Sequence, residues 1–217
     1  MISLESTGLY RGKLTEKYLY EHGFEPQDHV YRISEEESLE RFNKYYTQLE
    51  YLESTGTQWI DTGVIPTNTM KFVLESNFTS GAMGSSVASS SKTIFDFRSS
   101  AVLTYGEGKS HTYTKRNQKQ KFIIDYLNSK TSCDEDENSF VSTPKFGNST
   151  FTIFTWHEGG YYYNTSGKFY SLKIYDNETL VRDFVPAMRK SDNVLGLYDK
   201  VEGKFYTNQG TGTFLGA

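Results

Sequence analysis

The chain has one cysteine, Cys133, among its 217 residues. That excludes an internal disulfide framework and any multi-cysteine zinc site. The four histidines, His22, His29, His111 and His157, are scattered. No His-x-His or His-x-x-x-His spacing occurs, so the sequence offers no histidine ligand set for zinc. Long apolar runs are also missing, and none approaches the ~20 residues a membrane-crossing helix needs. The opening residues, MISLESTGLYRGK, lack the basic-then-apolar order of a secretory signal. A protein made in a cytoplasm, without membrane insertion, is expected. Positive charge is not in excess, since 23 Lys+Arg against 27 Asp+Glu leave a net −4. A binder of nucleic acid that works by phosphate neutralisation is therefore not expected.

What the chain does have is aromatics and turn residues. There are 17 Tyr and 15 Phe, with 18 Gly against only 4 Pro. Tyr, Phe and Thr suit pleated, half-buried surfaces, and Gly, Asn, Asp and Ser supply turns. The composition predicts an antiparallel all-β protein.

Residues 1–48 differ in texture. Residues 14–22 (LTEKYLYEH) carry helix formers and stop at Gly23, with Leu14, Tyr18 and Leu19 at helical spacing. A second helix is predicted over 34–47, with Ser34 as N-cap and Glu37 completing a capping box. Its apolar stripe is read as Leu39, Phe42 and Tyr46. So few aliphatics cannot build an independent core. This segment is expected to dock on the main domain or on another subunit.

From residue 49 onward, short alternating strands follow one another at spacings of about 8–12 residues, the pattern of a two-sheet sandwich. Residues 70–78 (MKFVLESNF) place Met70, Phe72, Leu74 and Ser76 on one face. Residues 151–156 alternate Phe151, Ile153 and Thr155 against Thr152, Phe154 and Trp156. Residues 168–176 alternate Phe169, Ser171, Lys173 and Tyr175 against Tyr170, Leu172 and Ile174, then turn at Asp176, Asn177 and Glu178. Pro186 confines the returning strand to an edge or ends its ladder there. A second hairpin is predicted around 200–203. Residues 131–140 are read as an exposed loop or a hairpin tip.

Two blocks, LEYLESTGTQWIDTGVIPTNT and GKFYSLKIYDNETLVRDFVPAMRKSDNVLGLYDKVEGKFYTNQGTGTF, resemble a module of phage and prophage tail, fibre and minor structural proteins. The resemblance covers 49–217 at its two ends; residues 79–150 are only generically similar, and 1–48 are not covered. It implies an antiparallel two-sheet jelly-roll sandwich, concanavalin A-like (laminin G-like), preceded by a small N-terminal α-helical segment. In such a sandwich the first and last strands lie side by side, so residues 49–52 are expected to pair with the 203–214 region. Trp59, Ile60, Phe184, Leu195, Leu197 and Phe205 are expected in the core or sheet. The division is then 1–48 for attachment and 49–217 for the jelly roll.

Two places can carry chemistry. The acidic run Asp134, Glu135, Asp136, Glu137 invites comparison with retaining glycosidases of this fold, whose Glu-x-Asp-x-x-Glu strand sets carboxylates about 5 Å apart on one face. Here adjacent acids would face opposite ways, and a solvated loop is the better reading. Asp134, Asp136 and Asn138, at alternate positions, offer hard oxygens for calcium. Ser139 stands where an EF-hand has glycine, and the closing Glu is absent. No resident cofactor is expected otherwise. The second place is the aromatic cluster Trp156, Tyr161, Tyr162 and Tyr163 with Asn164. Aromatic faces stack on sugars, polar neighbours bind hydroxyls, and Tyr-rich loops also serve interfaces.

The expected function is a non-enzymatic bacteriophage virion structural protein (fibre, tail or capsid decoration). It would display a lectin-like jelly roll, with host-surface glycan as a possible ligand. Residues 1–48 would join it to other virion proteins, and a homo-oligomer, a trimer by preference, is expected. A lectin proper is the alternative, and a glycoside hydrolase the more distant one.

Overall fold

A computed structural model describes residues 35–80, 84–85, 95–97, 102–106, 109–113, 118–140, 149–158 and 161–217. The helix predicted over 14–22 and the Ser34 cap lie outside the described residues, as do the side chains of 156–163. The described chain is mostly strand with one helix, α1 (Glu35–Tyr45), and every strand pairing is antiparallel.

The larger sheet is built on two long strands, β4 (Met70–Ser80) and β15 (Ser166–Asp176). β9 (Gln120–Asp125), β10 (Lys130–Cys133) and β11 (Asp136–Ser139) extend it beyond β4. β16 (Thr179–Arg189), β17 (Leu195–Asp199) and β18 (Lys204–Tyr206) extend it beyond β15. β1 (Tyr46–Gln48), β2 (Leu52–Thr55) and β19 (Leu215–Gly216) complete it. The second sheet runs in the order β3 (Ile60–Asp61), β12 (Thr152–Ile153), β5 (Gly84–Ser85), β6 (Phe95–Phe97), β7 (Val102–Gly106), β8 (Lys109–Thr112). β13 (Thr155–Glu158) and β14 (Tyr161–Asn164) form a separate hairpin.

Period-two alternation builds β4. Phe72, Leu74 and Ser76 are buried, and Lys71, Val73 and Glu75 are half-exposed between them. Phe72 meets Phe151, just ahead of β12, at 5.2 Å between rings, and Phe154 meets Phe169 and Phe214. The main core therefore lies where the two sheets meet.

Alternation fails in β15. Phe169, Leu172 and Ile174 are all buried, while Tyr170 and Ser171 are both half-exposed. The cause is a bulge: Phe169 opposes Ser76 and Ser171 opposes Glu75, leaving Tyr170 as the extra residue. The expected face containing Phe169 with Ser171 is thus wrong by one step after Phe169. The 151–156 strand is also broken, because Phe154 takes φ 66° and all of Phe151 to Thr155 are buried.

β16 reads Phe184, Val185, Pro186, Ala187, all buried. Such a continuous run belongs to a strand covered on both faces. One face looks into the main core. Over the other lies α1, whose Phe42 joins Val185, Ala187 and Tyr198, with Tyr46 and Phe205 packed alongside. Leu39, expected on the same stripe as Phe42, is 56% exposed instead. α1 docks through Phe42, and its backbone leads straight into β1.

β1 and β2 form one bent path through a junction. β15 pairs with β2 as far as Phe169–Leu52 and with β16 from Leu172–Phe184 onward. β16 then changes partner and pairs with β1 from Ala187–Gln48 onward. Residues 49–51 cross the fork between these ladders. Pro186 stands there: its carbonyl oxygen accepts the Leu49 N–H at 3.0 Å, and its donor-less nitrogen faces the same edge. β16 is an interior strand, so Pro186 ends a ladder rather than marking an outer edge.

The two chain blocks meet as expected, with a shift. β2 pairs with β19 at Glu53–Leu215 and Leu52–Gly216, just past the 203–214 region. Residues 208–211 hydrogen-bond to Thr57 and Trp59. Ile60, Phe184 and Leu197 are fully buried, and Trp59 and Leu195 pack on the core.

The β15–β16 turn is a two-residue loop with φ 45° at Asn177 and 65° at Glu178, the demand of a type I′ turn. Asn tolerates that region, whereas Glu pays a steric penalty between its Cβ and carbonyl oxygen. Glu178→Gly is expected to raise stability by about 0.5–1 kcal/mol, the relief being partly offset by glycine's unfolded-state entropy. Urea unfolding checks this, and an unchanged or lower midpoint refutes it.

Candidate functional site

The aromatic cluster falls on the β13–β14 hairpin. Its register sets Trp156 opposite Tyr163, His157 opposite Tyr162, Glu158 opposite Tyr161 and Thr155 opposite Asn164. All five sequence-selected residues are thus brought onto one hairpin by main-chain pairing. Asn164 is exposed; the side chains of Trp156, Tyr161, Tyr162 and Tyr163 lie outside the described residues. The hairpin leaves the core at Thr155, whose side chain is buried, and re-enters at Thr165, whose N–H reaches the Phe154 carbonyl at 2.8 Å.

The acidic run folds as the β10–β11 hairpin, with Cys133 paired to Asp136 and Asp134–Glu135 as the tip. Asp134 takes φ 53°, and its carboxylate accepts the Lys121 N–H at 2.9 Å and a Gln120 Nε2 hydrogen at 3.3 Å. Glu137 is bound by Lys130 at 2.9 Å, and this carboxylate raises the lysine's pKa. Asp136 and Asn138 follow at alternate positions of β11, opposite Cys133 and Thr131 of β10. Among the described residues no group of three His, Cys, Asp or Glu side chains is placed to hold a metal ion. Cys133 is buried, with Gln120 Nε2 at 3.2 Å from its sulfur.

Sequence reasoning missed a third place, the outer face of the large sheet at the fork. Tyr51 comes from the crossing segment and Tyr170 from the bulge, with ring centroids 6.2 Å apart and nearly edge to face. Lys168 Nζ stands 3.7 Å from the Tyr51 centroid and Lys119 Nζ 5.0 Å from the Tyr170 centroid. The Tyr51 side chain beside it, with Glu53 adding, holds the Lys168 ammonium's pKa above its ordinary value. Glu75 binds Lys119 at 2.6 Å. In register, Glu53 and Asn77 flank Lys168, and Lys121 and Ser171 flank Glu75. No sequence signal marked it, because residues 168–176 read as a regular alternation and Tyr51 is remote in the chain.

No family model, curated protein or solved structure matches this chain. Its chemistry is therefore read from its own residues.

One buried polar cluster serves the fold. Asp199, fully buried, accepts the Asp183 N–H at 2.9 Å and the Val201 N–H at 3.0 Å through Oδ1. Its Oδ2 lies 3.3 Å from Arg182 Nε but off the N–H line, a Coulombic contact rather than a hydrogen bond. Arg182 reaches Glu202 at 2.6 Å, and Glu202 accepts the Tyr206 hydroxyl at 2.7 Å. Burial raises the Tyr206 pKa, so the phenol stays a donor. This set ties β16, β17 and β18 together.

Proposed function

We propose that the chain is a non-enzymatic virion structural protein of a bacteriophage: a fibre, tail or capsid-decoration subunit. It displays a concanavalin A-like (laminin G-like) jelly roll toward host-surface glycan. The observation that carries this reading is the junction of the two blocks that resemble the phage module. β2 from the first block lies between β15 and β19 from the second and its end, so the blocks form one continuous structural unit. Such a unit is suited to display, with its chain entry on the outer face at α1. Residues 1–48 attach it to other virion proteins, and sister copies associate, by preference as trimers. The protein is made in the host cytoplasm and resides in the virion. The acid pattern supports a non-enzymatic role, since Glu135 sits in a turn and Glu137 is held by Lys130.

An antibody against residues 49–217 is expected to decorate purified particles under the electron microscope. Antigen found in host lysate and absent from intact particles would sink the reading.

The β13–β14 hairpin favours a second reading, a lectin proper. Its register brings Trp156, Tyr161, Tyr162 and Tyr163 together outside the two main sheets. Glycan-array binding that Trp156→Ala and Tyr162→Ala abolish would support it, and an array without signal would remove it.

A further inference from the structure

Core packing of Phe169 and Leu172 accounts for the bulge at the fork on the large sheet, and it does not dictate which side chains the bulge presents outward. A bulge in an interior strand turns two consecutive residues, Tyr170 and Ser171, to the outer face. They fall between the ladders that β15 makes with β2 and β16, so neither has a registered partner on that edge. Bulges of this kind re-aim side chains and recur beside binding sites.

The charges set the ligand class. Lys119, Lys121 and Lys168 face Glu53 and Glu75, a local excess of one positive charge on a chain with net charge −4. Lys168 is held over the Tyr51 ring, with Glu53 opposite it in register. A π-face attracts an ammonium without neutralising it, so the charge remains available to an anion. The same contacts disfavour neutral sugars, because an ammonium already lies over each tyrosine ring. What remains for a ligand is the Lys168 ammonium held over the Tyr51 ring, with the Lys119–Glu75 ion pair and the amide and hydroxyl groups of Asn77 and Ser171 beside it.

We propose that this fork binds a carboxylated sugar, a uronic-acid residue of an anionic polysaccharide. Lys168 receives the carboxylate, and Glu75 and Ser171 accept and donate to ring hydroxyls. The inference rests on the glycan-facing role proposed above and names its ligand class, at a place distinct from the β13–β14 hairpin.

The test is calorimetric titration of the full chain at low salt with hexagalacturonate, against neutral maltohexaose. The hexauronate is expected to bind saturably and to weaken as salt rises, since charge carries the contact. Lys168→Gln combined with Tyr170→Ala is expected to weaken binding roughly tenfold or more, a loss of about 1.4 kcal/mol. Lys168→Gln alone keeps the aliphatic stem and controls for folding, with a smaller loss expected. Trp156→Ala is expected to bind as the wild type does. The proposal is overturned by no hexauronate binding tighter than about 10 mM, by equal affinity for the two hexasaccharides, or by loss in Trp156→Ala with retention in the fork variant. Particle labelling without uronate binding refutes the fork alone, and uronate binding by a chain absent from particles refutes the virion role alone.

Discussion

Gly196→Ala is expected to destabilise the protein by about 3–5 kcal/mol, at the upper end of what single substitutions do. Gly196 lies in β17 opposite Ala187 of β16. A Cβ there would overlap the Tyr206 carbonyl oxygen and come within 2.9 Å of Phe205 Cζ. Backbone cannot yield as a side-chain tip does. β18 is held to β17 by the Leu197–Tyr206 register, by the Tyr206 hydroxyl on Glu202, and by the Tyr206 ring against Phe184. Displacing Phe205 would in turn disturb its stack on Tyr46 and the Arg189 guanidinium over its ring. The strain therefore spreads into the face covered by α1. For a chain of this size the melting temperature should fall by roughly 10 °C. Gly63→Ala is the control. Gly63 has φ 70° but nothing within 4 Å of a built Cβ, so only the left-handed penalty applies, about 1 kcal/mol. Equal losses for the two variants in urea unfolding would show that β18 does not crowd Gly196.

The same strands show how far the sequence could be read. Met70 to Ser76 alternates cleanly because a bulge-free strand must present every second residue to the core. The hairpin turn at Asn177–Glu178 was legible from turn residues, although Glu at positive φ could not have been foreseen. The bulge at Tyr170 was not legible. It exists because Phe169 and Leu172 both fill the core, which is a property of the opposite sheet rather than of the local sequence. Pro186 signalled a ladder ending correctly, but only the topology shows that the ending is interior. Leu39 and Phe42 look equivalent on a helical wheel, and only Phe42 finds Tyr198 and Val185 beneath it. For the candidate sites, Trp156 to Asn164 are close in sequence, so the cluster could be named before folding. Tyr51 and Tyr170 come together only through the β2–β15 ladder, and no periodicity within either segment reports on the other.

Asp199→Ala should cost about 3–5 kcal/mol, the usual penalty for breaking a buried ion pair. The loss has two parts. The Asp183 and Val201 N–H groups lose their Oδ1 acceptor, and the Arg182 guanidinium keeps only Glu202 as a carboxylate partner. Asp199→Asn separates them. Its amide oxygen can still accept both N–H groups, so its cost should be smaller, about 1–3 kcal/mol. The pair of variants also fixes the sign of the pH dependence. Burial pushes the Asp199 carboxyl above its ordinary pKa, against the opposing pull of the two N–H donors and Arg182. The folded chain then holds this proton to higher pH than the unfolded chain does. The stabilisation tied to that proton is fully present below the unfolded pKa and is lost as pH rises through the folded one. Asn does not titrate. The unfolding free energy of the wild type minus that of Asp199→Asn should therefore fall as pH climbs through this window and level off above it. Chemical unfolding of both proteins across the acid range measures the difference directly, with the other titrating groups largely cancelling. A wild type that instead gains on the Asn variant with rising pH would show that Arg182 and the two N–H donors outweigh desolvation.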